Sequence, residues 1–329
     1  MNKIRIGIAG YGNLGKSVEL GIRQNEDMEL VGVFTRRDPS TIKLITAHLP
    51  VYHIDEAQKM TEQIDVMVQC GGSMSDMPVQ GPLFASMFNT VDGFDNHARI
   101  PDYYNAVNEK ALEAGKVSII SSGWDPGIFS LIRLYGEVIL PHGKTYTFWG
   151  KGISQGHSDA IRRINGVKTA KQYTIPLDSA ISAVKRGDMP ELTSREKHSR
   201  DCFVVIEEGA DKAQIEHDIK TMPNYFADYD TEVHFITEEE FEKSHKGLPH
   251  GGLVLRYGKT GLKEEHNHTI EFKLDLGSNP DFTAHVLLAF ARAAYRLNQE
   301  GVSGAKTVVD IAPAYLTNKS GEELRKYFI

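Results

Sequence analysis

The spacing of apolar and polar positions divides the chain into two patterns. Over residues 1–120, short apolar runs alternate with amphipathic stretches, which predicts strands followed by helices. The strands are expected at Ile4–Ala9, Leu30–Phe34, Ile64–Cys70, Asn89–Asp92 and Val117–Ile120, and the helices at Asn13–Gln24, Met77–Phe88 and Asp102–Ala114. This alternation predicts the α/β class, with a parallel sheet covered by helices on both faces.

The pattern changes after about Trp149, where longer and more polar strands begin. These strands are expected at Val167–Ile175, Asp201–Ile206, Glu232–Ile236, Leu253–Tyr257 and Thr269–Leu274, and helices at His157–Ile164, Ser179–Arg186, Lys212–Met222 and Thr283–Asn298. A mixed or antiparallel sheet covered by helices, an α+β arrangement, explains this order most simply. The glycines of Gly150-Lys151-Gly152 predict a hinge between the two parts.

Composition and charge restrict the classes of function. The chain has 329 residues and a formal net charge of −7, which argues against nucleic acid as a partner. Two cysteines, Cys70 and Cys202, cannot build a disulfide framework. No apolar run resembles a signal peptide or approaches the roughly 20 residues of a membrane span. We therefore expect a cytoplasmic protein with neither a membrane nor a nucleic acid as partner.

A glycine pattern follows the first strand. Residues 10–15 read Gly-Tyr-Gly-Asn-Leu-Gly, which matches G-x-G-x-x-G, and they open the first helix. Gly10 permits the tight turn, Gly12 lets a pyrophosphate approach, and Gly15 lets the helix pack closely on the strand. Free N–H groups at the start of the helix stabilise the phosphates. The sequence therefore predicts a Rossmann-type dinucleotide site, with a ligand-free glycine-rich turn as the alternative.

The tip of the second strand indicates which dinucleotide binds. NAD-binding chains usually carry Asp or Glu there to hold the ribose 2′-hydroxyl. This chain instead has Thr35, Arg36 and Arg37 after Phe34. Guanidinium groups bind a 2′-phosphate through charge-assisted hydrogen bonds, whereas a carboxylate would repel it. We therefore predict NADP, with a solvated pair of surface arginines as the alternative.

Two further groups of residues follow strands at the same edge of the sheet. The small residues of Cys70-Gly71-Gly72-Ser73 and Ser121-Ser122-Gly123 fit a wall that the nicotinamide and its ribose pass closely. Asp95 and Asp125 lie in loops after neighbouring strands, where a carboxylate is suited to bind a substrate ammonium group. Ordinary loop capping explains these two aspartates equally well.

A set of motifs resembles the meso-diaminopimelate dehydrogenases. The motifs are G-Y-G-N-L-G at 10–15, F-T-R-R at 34–37, F-D-N-H at 94–97, S-G-W-D-P-G at 122–127, F-W-G at 148–150, S-Q-G-H-S-D-A at 154–160, L-P-H-G-G at 248–252 and N-P-D-F-T-A at 279–284. They cover nearly the whole chain in the family's order. The resemblance implies reversible, NADP-linked oxidative deamination of the D-centre of meso-2,6-diaminoheptanedioate to L-2-amino-6-oxoheptanedioate and ammonia, with reductive amination toward lysine as the reverse.

The resemblance also implies the binding residues. The substrate positions are Asp95, Asp125, Trp149, Gln155, Gly156, Thr174, Arg200, His250 and Asn279. The cofactor positions are Gly10, Tyr11, Gly12, Asn13, Leu14, Gly15, Thr35, Arg36, Arg37, Cys70, Gly71, Gly72, Ser73, Gly93, Phe94, Asp95, Ser122, Gly123, Trp124, Asp125 and Pro126.

Roles follow from the chemistry of the implied substrate. Arg200, Thr174 and His250, with Asn279 nearby, are expected to hold the distal L-carboxylate, and Gln155 is expected to act through its main chain. Trp124 and Trp149 are expected to line the methylene spacer. Catalysis is expected at Asp95 and Asp125, and neither is assigned as the single general base.

The expected domain organisation has four parts. Residues 1–120 form the NADP-binding Rossmann domain, and residues 121–150 form a connecting and dimerisation segment. Residues 151–300 form the substrate-binding α+β domain, built on a mixed sheet, and residues 301–329 form a tail that packs back toward the nucleotide domain. The resemblance implies a homodimer or larger homo-oligomer. The apolar Ile128–Leu140 region is a candidate contact, with an ordinary buried helix as the alternative.

Other interpretations explain less of the sequence. Sugar-type oxidoreductases share this layout but carry a Glu-Lys-Pro motif, which is absent here. A redox sensor that binds NADPH as a signal would not need Asp95, Asp125 and Arg200 together. Arg200 beside Asp201 is alternatively half of a surface ion pair. His266 and His268 point the same way on a strand, but no further ligand accompanies them, so no metal is predicted.

Overall fold

The computed structural model describes residues 3–46 and 48–329. The chain forms two compact units. The first contains Met1–Leu131 and Pro280–Ile329, and the second contains Ile132–Asn279.

The strands and helices are numbered along the chain. The strands are β1 (Ile4–Ala9), β2 (Met28–Thr35), β3 (Val51–His53), β4 (Val66–Gln69), β5 (Asn89–Asp92), β6 (Val117–Ile119), β7 (Gly143–Trp149), β8 (Gly152–Ile153), β9 (Val167–Pro176), β10 (His198–Ile206), β11 (Asp230–Phe235), β12 (His250–Thr260), β13 (His266–Leu276) and β14 (Gly304–Lys306). The helices are α1 (Asn13–Ile22), α2 (Met77–Ala85), α3 (Ile100–Ala114), α4 (Ile128–Ile139), α5 (Gln155–Arg162), α6 (Asp178–Arg186), α7 (Ser194–Lys197), α8 (Lys212–Thr221), α9 (Glu238–Ser244), α10 (Asn279–Gln299) and α11 (Gly321–Phe328). Within the described residues, none of these helices has the length and apolarity of a membrane span.

A seven-stranded sheet in the order β14-β6-β5-β4-β1-β2-β3 organises the first unit, and its strand pairs are parallel. Buried apolar side chains pack on both faces of the sheet around β1, β2 and β4, as is typical of parallel sheets. Ile6, Ile8 and Val68 are buried in one core cluster, and Phe34 and Met67 are buried in another. The strand order reverses between β1 and β4, and open α/β sheets bind ligands in the crevice at such a point. The predicted α/β class with a Rossmann-type first part is confirmed.

The second unit contains two smaller sheets. One has the order β11-β10-β9-β8 and is mixed, because β10 and β11 are parallel while the other pairs are antiparallel. The other is antiparallel, in the order β13-β12-β7. Helix α8 covers the mixed sheet and buries Ile215 and Ile219 in a cluster with Cys202 and Val204. The predicted α+β second part with a mixed sheet is confirmed, and a separate antiparallel sheet adds to it.

The predicted hinge at Gly150-Lys151-Gly152 lies inside the second unit and does not separate the two units. The Gly150 N–H donates to the carbonyl of Gly251 at 2.8 Å, and Gly152 pairs with Thr174 on β9. These bonds tie the segment to both sheets of the second unit. The division falls instead at residue 131, within α4, and after residue 279, rather than at residues 120, 150 and 300.

Helix α10 belongs to the first unit, although the sequence pattern assigns it to the substrate domain. Its residues Leu287, Phe290 and Ala291 are buried in the core cluster of β1 and β4. Arg292 on the same helix binds Asp27 through contacts of 2.5 and 2.8 Å. After α10, β14 pairs with β6 at the edge of the parallel sheet. Residues 280–329 therefore complete the first fold.

Candidate active site

The loop between β1 and α1 brings the glycine pattern to the switch point of the sheet. Gly10 has a φ of +94°, and a Cβ there would lie 3.2 Å from main-chain atoms of Cys70 and Gly71. A Cβ at Gly15 would lie 2.2 Å from the carbonyl oxygen of Gly10, so only glycine allows α1 to begin this close to the loop. At Gly12, a Cβ would have no neighbour within 4 Å among the residues described. That open side leaves room for a phosphate to approach the backbone.

A cavity of about 410 Å³ adjoins this loop. Arg37 is fixed beside it, because Nη2 donates to the carbonyl of Tyr11 at 2.8 Å and the main-chain N–H donates to Thr35 Oγ1 at 3.1 Å. Arg36 forms an ion pair with Asp76, and its side chain is 60% exposed. The residues that line the cavity are Gly10, Tyr11, Gly12, Thr35, Arg36, Arg37, Ile54, Cys70, Gly71, Gly72, Asp76 and Gln80. The structure thus brings the predicted glycines and arginines to one cavity, joined by Ile54, Asp76 and Gln80.

The remaining predicted cofactor positions do not line this cavity. Asn13, Leu14 and Gly15 form the first turn of α1. Ser73 lies in the loop after β4, and its Oγ accepts the N–H of Asp95 at 3.2 Å. The other positions follow β5 and β6 at the same edge of the sheet, and they are Gly93, Phe94, Asp95, Ser122, Gly123, Trp124, Asp125 and Pro126.

Asp95 and Asp125 follow the adjacent strands β5 and β6. Asp95 is exposed and Asp125 is half-buried. The aromatic residues before them are buried: Phe94 stacks on Tyr103 with ring centroids 4.2 Å apart, and Trp124 meets Phe129 edge to face at 5.3 Å. Because these rings anchor the two loops, the carboxylates are presented at the carboxyl edge of the sheet. Trp124 itself is 7% exposed, so most of its ring is buried.

A buried arginine lies in the mixed sheet of the second unit. Arg200 on β10 faces Thr174 on β9 and donates to Thr174 Oγ1. Its guanidinium carbon lies 3.9 Å from the centre of the Tyr229 ring. The residue is 6% exposed, and Nε is buried without a hydrogen-bond partner in the described part of the chain. The alternative of a surface ion pair with Asp201 is therefore wrong, because Arg200 is buried and successive residues of a strand point to opposite faces.

Trp149 ends β7 and is held by a histidine. The main-chain N–H of Trp149 donates to Nε2 of His198 at 2.9 Å, and the two rings stack with centroids 5.5 Å apart and planes at 24°. Burial, followed by the charges of Arg200 and Lys197, lowers the pKa of His198 to about 3. The imidazole is therefore neutral near pH 7 and keeps its acceptor for Trp149. His198 and Arg200 share a face of β10, which joins the two predicted substrate residues through one strand.

Gly152 brings two more predicted residues together. It pairs with Thr174, and a Cβ at Gly152 would lie 2.4 Å from the Cα of His250. Only glycine at this position lets β8 approach the start of β12 so closely. Asn279 is tied to the segment before β12, because its N–H donates to the carbonyl of Leu248 at 2.9 Å.

The start of α5 carries the last two predicted substrate residues. Gln155 and Gly156 begin the helix, and both are exposed. Ser154 caps the helix, and its Oγ lies 2.7 Å from Nδ1 of His157. Burial, followed by the charge of Arg200, lowers the pKa of His157 to about 4. A neutral, partly buried imidazole therefore adjoins the exposed main chain at the start of this helix.

Comparison with known proteins places the chain in a family. The family model described as the diaminopimelic acid dehydrogenase C-terminal domain matches residues 123–278. The meso-diaminopimelate D-dehydrogenase of Acetivibrio thermocellus is 66% identical over 326 residues, which is 99% of this chain and 98% of the relative. The chain belongs to the meso-diaminopimelate D-dehydrogenase family. The earlier resemblance is therefore confirmed.

Solved structures of such dehydrogenases are similar over their whole length. The C. glutamicum DAP dehydrogenase in complex with DAP is 46% identical, with a TM-score of 0.92, and the match covers 100% of both chains. An engineered D-amino acid dehydrogenase bound to NADP+ is 45% identical, with a TM-score of 0.88, and the match again covers 100% of both chains.

The sequence of this dehydrogenase does not reveal every residue around Arg200. His198 carries a local signal, because it stands two positions before Arg200 on the same strand and shares its face. Tyr229 carries no local signal, since α8 separates it from β10 in the chain. His157 lies inside the recognised motif at 154–160, but its burial follows from packing against Tyr225 and Phe226.

The described residues of the dehydrogenase contain one group with the geometry of metal ligands. Asp201, Glu232 and His234 place candidate ligand atoms within 4.8 Å of one another on β10 and β11. His266 and His268, the pair considered from the sequence, do not belong to that group. Partly exposed acidic groups of this kind are common without an ion, so the geometry by itself assigns no metal to the site.

Proposed function

We propose that this dehydrogenase catalyses the NADP-dependent oxidative deamination of the D-centre of meso-2,6-diaminoheptanedioate with the residues described above. The products are L-2-amino-6-oxoheptanedioate, ammonia and NADPH, and the reverse reaction is a reductive amination on the route to lysine. The observation that carries the substrate assignment is Arg200, whose Nε is buried without a hydrogen-bond partner in the described residues. A buried donor of this kind is costly unless a ligand satisfies it.

The nucleotide is assigned to the crevice between β1 and β4. Gly10 and Gly12 leave the loop open for the pyrophosphate, and the first N–H groups of α1 face it. Arg36 and Arg37 border the same cavity, directly after Thr35 at the end of β2. Two guanidiniums can neutralise the 2′-phosphate of NADP, and NAD has only a ribose hydroxyl at that position. The arginines therefore support NADP over NAD. Bound NADP supplies the hydride acceptor.

The distal L-end of the substrate is assigned to the second unit. Arg200 donates to Thr174 Oγ1, which leaves the threonine hydroxyl proton and the free guanidinium N–H groups for a carboxylate, and the Tyr229 ring covers one side of the guanidinium. Trp149 and His250 adjoin this group through β8 and β10. A site that hydrogen-bonds a substrate group rejects an analogue without it by about 10⁴–10⁵-fold. This group therefore favours diaminopimelate over D-amino acids that lack a second carboxylate.

The reacting end is assigned to Asp95 and Asp125. Their carboxylates bind the ammonium group of the D-centre. The amine must lose a proton before hydride leaves Cα, because its electron pair forms the C=N bond of the iminium that water then attacks. A carboxylate beside the ammonium opposes this deprotonation, since it raises the pKa of the amine. We assign both aspartates to holding the amine and taking up its proton, directly or through water.

One assay tests the proposed function. The protein is incubated with NADP and either meso-diaminopimelate or the LL-isomer, and reduced nicotinamide is followed by absorbance. NADPH is expected with the meso-isomer and not with the LL-isomer, which has no D-centre. Absence of NADPH with the meso-isomer, or equal rates with both isomers, would reject the proposal.

We also propose a cytoplasmic homo-oligomer. Helix α4 exposes a cluster of large apolar side chains, with Leu134, Tyr135, Val138 and Ile139 between 41% and 65% exposed. Such a face is suited to a contact with a second copy. Light scattering is expected to give at least twice the 36.7 kDa chain mass, and Val138→Asp is expected to lower it. A wild-type protein at the mass of one chain would contradict the proposed oligomer.

The cysteines support the cytoplasmic part of the proposal. Cys70 and Cys202 are unlinked, in keeping with a reducing compartment.

A further inference from the structure

Asp92, the last residue of β5, is a buried carboxylate that the assignments above do not use. Its exposed fraction is 0%. Oδ1 accepts the N–H groups of Phe94 and Ser121, both at 3.0 Å. Oδ2 accepts the hydroxyl of Tyr103 at 2.7 Å. One side chain is therefore bonded to the loop after β5, to the loop after β6 and to helix α3.

The main chain of Asp92 adds two more bonds to the same loops. Its carbonyl accepts hydrogen bonds from the main-chain N–H and the hydroxyl of Ser122, each at 2.8 Å. Asp95 follows Asp92 by three positions, and Asp125 follows Ser122 by three positions. The two carboxylates assigned to the reacting amine thus lie on loops that meet at Asp92.

Burial makes this arrangement expensive if it serves packing alone. Removing a carboxylate from water disfavours its charged form, and burial accordingly raises the pKa of Asp92. An apolar residue would fill the same space without that penalty, but it would leave the N–H groups of Phe94 and Ser121 unsatisfied. Ser121 also has a φ of +53°, an uncommon conformation for a residue with a side chain. The carboxylate therefore serves the geometry of the loops.

We propose that Asp92 is a positioning residue for the reaction: it joins the loops after β5 and β6 so that Asp95 and Asp125 keep one relative geometry. This inference rests on the proposed function, because it takes the reacting amine to be bound by those two aspartates. Displacement of reacting groups by about 1 Å costs up to about 10²-fold in rate. Loss of the Asp92 carboxylate therefore acts on turnover, while the Arg36 and Arg37 cavity, at β1 and β2, is left intact.

The test compares three variants and one control variant in the full-length protein. Asp92→Ala removes all three side-chain acceptor bonds. Asp92→Asn keeps an oxygen for Phe94 and Ser121, and the Tyr103 hydroxyl can turn to accept from the new amide. Tyr103→Phe removes a single bond without opening a cavity and remains informative if Asp92→Ala does not fold. Tyr104→Phe is its matched control, because Tyr104 lies on the same helix and bonds only the carbonyl of Ala305, at 3.1 Å, among the contacts recorded for the described residues.

Turnover is divided by the concentration of NADPH-binding sites, which is measured by titration with NADPH. Unfolded protein therefore does not lower the value of kcat. We expect kcat to fall about 10²-fold in Asp92→Ala and about tenfold in Tyr103→Phe, while the NADP-to-NAD ratio of kcat/KM values, which depends on the Arg36 and Arg37 cavity, stays within about twofold of wild type. Asp92→Asn should recover at least tenfold of the loss, and Tyr104→Phe should match wild type. Wild-type kcat per site in Asp92→Ala and Tyr103→Phe, or an Asn variant as slow as the Ala variant, would overturn the inference. Absence of turnover in the wild type would instead reject the proposed function.

Discussion

Two arginine sites of this dehydrogenase meet their proposed anions in opposite surroundings. Arg36 borders an open cavity, with its side chain 60% exposed and paired with Asp76. Arg200 is 6% exposed and lies against the Tyr229 ring, with Nε unsatisfied among the described residues. Water and salt screen an exposed charge, whereas a buried one acts in a medium of low dielectric constant. The buried site should therefore contribute more free energy per residue than the open site.

Exchange of Arg200 for methionine tests the buried site and has the largest expected effect. kcat/KM for meso-diaminopimelate should fall about 10³-fold, since removing one partner of a buried charge pair costs about 2–5 kcal/mol. The Kd for NADPH, measured by fluorescence titration, should not change. The matched control Arg200→Lys keeps the charge without the planar fork and should recover part of the loss. A less than tenfold fall in kcat/KM for Arg200→Met would contradict the larger contribution assigned to the buried site.

Asp125→Asn tests whether a residue of the nucleotide-binding unit acts on the substrate. Asp125 lies in the same unit as Arg36, but it is assigned to the reacting amine. We expect steady-state kcat to fall about 10²-fold, the lower range for loss of a general acid or base, while the Kd for NADPH is retained. Turnover equal to wild type would remove Asp125 from the chemistry.

Arg36→Asp tests the open site. The preference for NADP over NAD, as the ratio of kcat/KM values, should fall about 10–100-fold, because a carboxylate repels the 2′-phosphate. NAD is the internal control, since it lacks that phosphate. The effect should shrink as salt is added, because the side chain is exposed. An unaltered cofactor ratio would place the phosphate elsewhere.

His198→Phe is expected to have the smallest effect on activity. The phenyl ring keeps the stacking on Trp149, but it has no nitrogen to accept the main-chain N–H of Trp149. One neutral hydrogen bond is worth about 1 kcal/mol, so KM for meso-diaminopimelate should rise about fivefold. Equal KM values would show that stacking alone holds Trp149.

The same histidine contributes a pH dependence of stability. The pKa of His198 is lowered to about 3 in the folded chain, because of burial and the neighbouring charges of Arg200 and Lys197. The unfolded chain takes up a proton as the pH falls below about 6.5, so stability present above that pH is lost progressively toward about pH 3. Urea midpoints at about pH 7 and about pH 5 should differ less in His198→Phe than in wild type. An equal difference would exclude His198 as a source of the dependence.

Features that are contiguous in the chain were predictable from it. The strand, glycine loop and helix at 4–22 follow from one local pattern, and so do the arginines at the end of β2. The sequence pattern predicts helix α10 but assigns it to the second part of the chain, because its burial against β1 depends on contacts between residues more than 200 positions apart. The hinge at residues 150–152 failed for a related reason, since Gly251 and Thr174 fix that segment from distant strands.

The residues that hold the site residues in place are harder to predict from the sequence. Asp92 reads as the end of a strand, and only the fold brings Ser121 and Tyr103 to its carboxylate. Tyr229 contacts Arg200 although helix α8 separates the two residues in the chain. These residues act through neighbours that are remote in sequence, whereas the glycines and arginines of the nucleotide cavity act where the motif places them.

The central claim is that Arg200 fixes the distal L-end of the substrate so that the D-centre gives up its hydride. The most direct measurement follows deuterium from meso-diaminopimelate labelled at Cα of one centre at a time, with NADPH analysed by mass spectrometry. The account predicts deuterated NADPH from the D-labelled substrate and unlabelled NADPH from the L-labelled substrate. Deuterium arriving from the L-centre would contradict it.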